Sequence, residues 1–253
     1  MRKRLQELLK YTTIAICALV VGSSAASEQT QPQTSMGDAK VSAQQQHETH
    51  SRLFRGQNLD TIPDILTKTS GDVYLRYDQP TGYPTMPLNP PTYPPYPLVA
   101  FACTSDAVII ATAQAGASHL TADQRFVYTD WNFAVEQILK DNLHSPIAAG
   151  STLVVTRSGG KLQINGRNIY ANDLGFKDFR SGSRYLLFLD FIPQTRAYKA
   201  KEEKSFSLET KKVVALARDN PYAGFEPKDP EALIKDTNAA IAAQTTGCSG
   251  RLS

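Results

Sequence analysis

Four histidines, three cysteines and one basic run are the residues here whose chemistry could be put to use. His47-Glu48-Thr49-His50 places two imidazoles around a glutamate, as a zinc hydrolase would, but that chemistry needs histidines at i and i+4 on one helical face. Here the spacing is i and i+3, inside a polar tract, so no metal site is expected. His119 and His144 fall in predicted loops, which leaves no general base on a rigid scaffold. The sequence contains no G-x-S-x-G elbow, phosphate loop or dinucleotide fingerprint. The reading is of a non-enzymatic protein with no catalytic residues and no cofactor.

Binding chemistry is better represented. Between Arg157 and Arg184 six basic residues (Arg157, Lys161, Arg167, Lys177, Arg180, Arg184) stand against Asp173 and Asp178. That excess either solvates a hairpin or meets an anionic glycan or a phosphate. Phe126 and Tyr128 project from the polar face of a long strand. They either stack on a ligand or are covered by a neighbouring segment.

The compartment follows from the N-terminus. Arg2, Lys3, Arg4 and Lys10 precede the apolar stretch 12–22, and Ser24-Ala25-Ala26 offers small residues for cleavage, the pattern of a signal peptide ending at Ala26. No segment approaches the ~20 apolar residues of a membrane span, so a secreted or periplasmic protein is expected. Residues 1–26 hold four of the 27 basic residues and one of the 24 acidic ones, leaving 23 of each and no net charge. Nothing global then argues for a nucleic acid or an anionic membrane as partner. Cys17 leaves with the signal. Cys103 and Cys248 remain, and an isolated pair in an oxidising compartment forms a disulfide. The bridge would close a loop of roughly 145 residues, stabilising the fold by about 4 to 5 kcal/mol on chain-entropy grounds.

The elements that would carry these residues are mostly strands. Residues 27–52 are Gln, Ser, Thr and Ala with few large apolar side chains, the composition of a disordered spacer. Residues 53–79 suggest a short helix and the alternating strand Asp72-Val73-Tyr74-Leu75-Arg76-Tyr77. In 80–97, prolines at 84, 87 and 90 and then at 91, 94 and 97 repeat every three residues, which specifies a polyproline II rod serving as spacer or as ligand. Residues 106–113 read as a buried strand, the loop 116–124 as a hairpin connection, and 125–140 as a long alternating strand with Trp131 on its core face. Residues 152–157 follow, then a hairpin at Asn165-Gly166. Residues 184–192 are almost continuously apolar and read as a central strand. Asp229 and Pro230 open a C-terminal helix that docks on that strand.

The order Cys103, Ser105-Asp106-Ala107-Val108-Ile109-Ile110, the strand with Trp131 and Val135-Glu136-Gln137-Ile138-Leu139-Lys140, Gly150-Ser151-Thr152-Leu153, and Gly182-Ser183-Arg184-Tyr185-Leu186-Leu187-Phe188 resembles uncharacterised secreted bacterial β-barrel proteins. More distantly it is similar to netrin-like domains, including the tissue inhibitors of metalloproteinases. The resemblance implies an OB-like (netrin-like) antiparallel β-barrel with a C-terminal α-helix over 98–253. In those inhibitors a cysteine at the mature N-terminus binds the protease zinc, whereas Cys103 lies deep in this chain. The expected function is an exported binding or interaction module of the cell envelope with an unknown protein or an anionic glycan as partner. A protease or hydrolase inhibitor is the alternative.

Overall fold

Strand alternation and tight-turn chemistry govern the architecture. The computed structural model describes residues 41–54, 60–77, 96–209, 211–217, 227 and 229–247. In chain order these form α1 (Ala43–Leu53), α2 (Ile62–Lys68), β1 (Val73–Tyr77), α3 (Tyr96–Cys103), β2 (Ala107–Leu120), β3 (Val127–Lys140) and β4 (Thr152–Ser158). Then follow β5 (Gly160–Ile164), β6 (Arg167–Asp173), β7 (Arg184–Ile192), β8 (Ala197–Ser207), β9 (Val214–Ala215) and α4 (Pro230–Gly247). The fold is mainly β with a C-terminal helix.

One sheet runs β4-β3-β2-β7-β8-β9, and β4 also pairs with β8 in parallel through Val155 opposite Tyr198 and Thr156 opposite Lys199. The neighbours along that order are antiparallel. A second sheet, β1-β6-β5, combines a parallel β1–β6 pair with the antiparallel β5–β6 hairpin. That hairpin turns at Asn165 and Gly166, with φ of 51° and 77°, the double positive φ of a type I′ turn. β7 lies between β2 and β8 and is buried along Tyr185–Leu189, so its apolar run is that of a central strand. Ile109, Phe133, Val155, Leu187 and Tyr198, one from each of five strands, share one core. On the other side of β7, Leu186 and Phe188 pack with Leu98 and Phe101 of α3 and Leu233 and Ile234 of α4. Glu231 N–H donates to Asp229 Oδ1 at 3.1 Å, so Asp229 caps α4 as its sequence implies.

Three sequence expectations change. Residues 43–52, expected in a disordered spacer, belong to α1. Ser42 caps that helix by accepting from Gln45 N–H at 3.1 Å, and tertiary hydrogen bonds supply what an apolar-poor composition lacks. The strand read as 106–113 continues through Gly116 to Leu120, pairing Gly116 with Trp131, so Gly116 lies inside a strand and the turn comes later. Register shifts at three points, one between Ala113 and Gly116, mark the irregularities that bend this long ribbon. The proline-rod residues 80–95 lie outside the described residues. Its last two, Tyr96 and Pro97, begin α3, where a proline's missing N–H is tolerated in the first helical turn.

Candidate functional site

The six basic residues of the 157–184 run do not make one patch. Arg167 donates to Gly71 O and Leu66 O, each at 2.6 Å, and to Thr69 Oγ1 at 3.0 Å, fastening the exit of α2 to β6. Lys177 Nζ donates to Ala215 O at 3.2 Å. Arg184 pairs with Glu136 at 2.7 Å, joining β7 to β3. Arg180 is exposed, and its backbone N–H donates to Tyr185 Oη at 2.8 Å. The run is spread over β4, β5, β6, the loop that follows and β7, which send its side chains in different directions. Arg157 and Lys161 line one pocket.

Phe126 and Tyr128 are covered, which corrects the reading of them as ligand contacts. Phe126 stacks on Tyr77 at 3.9 Å between ring centroids, and Tyr128 stacks on Phe54 at 5.5 Å. Both belong to a core shared with Ile62 of α2 and with Val73 and Leu75 of β1. That face of β3 alternates as a wet strand should, but segments far upstream in sequence lie over it.

The opposite face of the same ribbon carries a cavity. Cross-strand pairing sets Gly116 opposite Trp131 and Ser118 opposite Thr129, and all four line a pocket of about 400 Å³ together with Arg157, Gly160, Lys161, Tyr170, Asn172, Asp178 and Phe179. Its size falls in the range of small-molecule sites, about 300 to 1,000 Å³. Two glycines shape it. A Cβ at Gly116 would come within 2.7 Å of Trp131 Cε2, so the indole rests directly on the β2 backbone. Gly160 has φ 143°, and a Cβ there would fall 2.1 Å from Thr129 Oγ1, so β5 crosses β3 only because nothing projects from that position.

Arg157 forms the floor. Its guanidinium donates to Ser158 O at 2.9 Å and to Lys177 O and Phe176 O at 2.8 Å, pairs with Asp178 at 3.1 Å, and lies 4.1 Å from the Phe176 ring centroid. Burial pulls its pKa down while Asp178 and Asp173 oppose the shift, and a guanidinium stays charged through such shifts. Most of its donors are thus committed to the protein. Lys161 is exposed at the rim, with Nζ 4.8 Å from the Tyr170 ring centroid. The pocket therefore combines a half-buried indole, a tyrosine, an amide, a carboxylate and one rim ammonium.

A second cluster lies on the covered face, where His119 pairs with Tyr128. Three of the chain's four histidines meet there. His47 Nδ1 is 2.9 Å from Tyr128 Oη, and the His119 ring lies 5.3 Å from that of Tyr128 and 6.2 Å from that of His47. His50 is fully buried, with Nδ1 2.8 Å from Asp130 Oδ1 and Nε2 3.0 Å from Thr195 Oγ1. Gln46 Nε2 donates to Asp130 Oδ2 at 2.9 Å. Burial pushes the Asp130 carboxyl up, but the hydrogen bond and charge of His50, with Gln46, outweigh it and leave the pKa below its ordinary value. Burial holds His119 below the usual imidazole value, with Asp130 opposing and His47 and His50 reinforcing the shift.

The sequence of Thr195 hydroxyl, imidazole and carboxylate is that of a nucleophile, base and orienting acid. Thr195 is only 8% exposed, and its hydroxyl faces the helix that carries His50. With α1 docked, the arrangement works as a clamp. Among the described residues no group of three or more His, Cys, Asp or Glu side chains is set to hold a metal ion. His144 is exposed and stands apart.

Cys103 closes α3, and its expected partner Cys248 lies outside the described residues, one position beyond α4. The helices that lead to the two cysteines pack in one core. No described helix is long and apolar enough to cross a membrane. No protein-family model and no curated protein matches this chain.

Trp131 packs against the core, as its place on the core face implied, and edge-on to Phe179 at 6.0 Å between ring centroids; that it also lines a pocket with Tyr170 and Asn172 is what sequence reasoning passed over. The missed signal was the pairing of an aromatic residue with Gly116 across a hairpin, visible only once the register is known.

Proposed function

We propose that this chain is an exported, non-enzymatic carbohydrate-binding module built on an OB-like barrel, and that the Trp131 pocket is its ligand site. One observation carries the reading: an indole laid against a glycine backbone in a pocket otherwise lined by hydroxyl, amide and carboxylate groups, the Tyr170 and Phe179 rings, the rim ammonium of Lys161 and the internally bonded Arg157. Sugar rings present apolar C–H faces to aromatic side chains and a ring of hydroxyls to neutral and anionic hydrogen-bonding groups. Nucleic acids fit less well. Arg157 is spent on backbone carbonyls and Asp178, leaving Lys161 at the rim, whereas nucleic-acid sites neutralise many phosphates.

The barrel reading is supported by the pairing order β4-β3-β2-β7-β8, which returns to β4 through the parallel β4–β8 contact. The pocket draws Thr129 and Trp131 from β3 and Arg157 from β4, the second and third of these five strands in chain order. OB barrels bind oligosaccharides and oligonucleotides on the face of those strands. Export rests on the N-terminal pattern, and the Cys103–Cys248 bridge on the two-cysteine argument.

A glycan array probed with the purified chain and with Trp131→Ala tests the reading. Wild-type binding to a defined saccharide class, lost in the variant while its circular dichroism is preserved, is the expected result. Absence of any saccharide binding by folded wild-type protein would refute it.

A further inference from the structure

The pocket does not end at Tyr170. In β1 the side chains of Val73, Leu75 and Tyr77 are buried, while Tyr74 is 67% exposed and Arg76 is exposed. In β6 the same alternation buries Ile169 and Ala171 and turns Tyr170 and Asn172 outward. The register sets Tyr74 against Tyr170 and Arg76 against Asn172, with Lys161 of β5 against Tyr170 on its other side. The two tyrosine rings stack at 4.9 Å with 10° between their planes. Lys161, Tyr170 and Asn172 also line the cavity. Lys161, Tyr170 and Tyr74 therefore form a row across β5, β6 and β1, about 10 Å long at the usual strand spacing, and its Lys161–Tyr170 end borders the cavity that Trp131 also lines.

A cross-strand tyrosine pair stabilises a sheet modestly by itself, but this pair is continuous with a pocket and flanked by polar groups, the setting in which exposed apolar surface marks a binding site. Its charges choose the ligand further. Lys161 and Arg76 are exposed cations of this outer face, Asp72, two residues before Tyr74, accepts from Asn168 at 3.2 and 3.3 Å, and Asp178, the carboxylate of the cavity, is paired with Arg157. Resting on the carbohydrate reading above, we propose that the Trp131 pocket is the first subsite of an open groove and that the ligand is an acidic oligosaccharide chain. One sugar ring lies on Trp131 and another on the outer face of Tyr74, Tyr170 being sandwiched between Tyr74 and Lys161, and a sugar carboxylate meets Lys161.

Calorimetric titration of the whole protein with oligogalacturonates of one to six residues, and with their carboxyl-reduced neutral counterparts, tests this. The expected result is affinity that rises about tenfold or more from dimer to tetramer, with acidic chains bound more tightly than neutral ones. Tyr74→Ala should abolish the gain with length, Tyr74→Phe should keep it, and Lys161→Gln should remove the preference for acidic chains. Tyr74 is mostly exposed, so its variants leave the fold intact. Saccharide binding that needs Trp131 but ignores chain length, Tyr74 and Lys161 would overturn the groove and leave the pocket standing. Absence of binding by saccharides of every length and charge would overturn both.

Discussion

Replacing Arg157 with methionine separates a structural arginine from a ligand-binding one. Methionine keeps the apolar stem and removes every donor. Three carbonyls, those of Ser158, Phe176 and Lys177, would lose partners now at 2.8 to 2.9 Å, in a site where Arg157 is 1% exposed. Hydrogen bonds from a charged donor contribute about 1.5 to 3 kcal/mol each and do not add fully. The ion pair adds little, because Asp178 is 69% exposed and solvent screens it. The stacking on Phe176 survives in part through the thioether. The net loss should be about 3 to 5 kcal/mol, the usual result of removing one member of a buried charged network. That is a large share of the roughly 5 to 15 kcal/mol by which domains are stable. Arg157→Lys should rescue little, because one ammonium cannot span three carbonyls as a planar fork does. Urea unfolding followed by circular dichroism measures the loss, provided the slope of the transition is unchanged. A loss below about 1 kcal/mol together with abolished saccharide binding would refute the reasoning and return Arg157 to the ligand.

Gly116→Val should push the indole off β2, lower saccharide affinity at least about tenfold and leave the far-ultraviolet spectrum unchanged; unaltered affinity would mean that the Trp131 position is not set by Gly116. Because burial holds His119 below its unfolded value, the unfolded chain binds the proton first. The stability tied to His119 is therefore full above about pH 6.5 and is lost as pH falls through the lowered folded value. His119→Gln should flatten that part of the profile measured by thermal unfolding, and an identical profile would contradict it. Asp130→Asn should weaken the His50 clamp and raise amide exchange in α1 well before exchange in β7; uniform exchange across both would show that α1 is not separately held. Peptide mapping of oxidised, exported protein should recover Cys103 joined to Cys248, and two free thiols there would remove the bridge.

What was legible in the sequence is what local chemistry controls. The turn at Asn165-Gly166, the buried run of β7, the alternation of β3 over residues 132–136 and the Asp229-Pro230 start of α4 each depend on a few adjacent residues, and each is found where local rules place it. What failed was non-local. α1 is held by His50 and Gln46 reaching Asp130, 80 and 84 residues away, and no composition window contains that information. Phe126 and Tyr128 stayed open between ligand contact and coverage because the segments that cover them, α1, α2 and β1, lie roughly 50 residues or more upstream. The basic run looked like a patch because adjacency in sequence was read as adjacency in space, whereas the strands send Arg157 inward and Lys161 to the rim. Gly116 was read as the start of a loop, whereas it lies within β2 as the cradle for Trp131, a role that only the cross-strand register discloses.

Trp131 is the chain's one tryptophan, so its fluorescence reports on the proposed site without a label. Titration of the folded protein with the saccharides that bind it on an array should give a saturable change in emission and protect the indole from acrylamide quenching, with the same midpoint in both. Emission and quenching that stay constant across the titration, in protein that binds those saccharides by calorimetry, would place the ligand elsewhere and contradict the account.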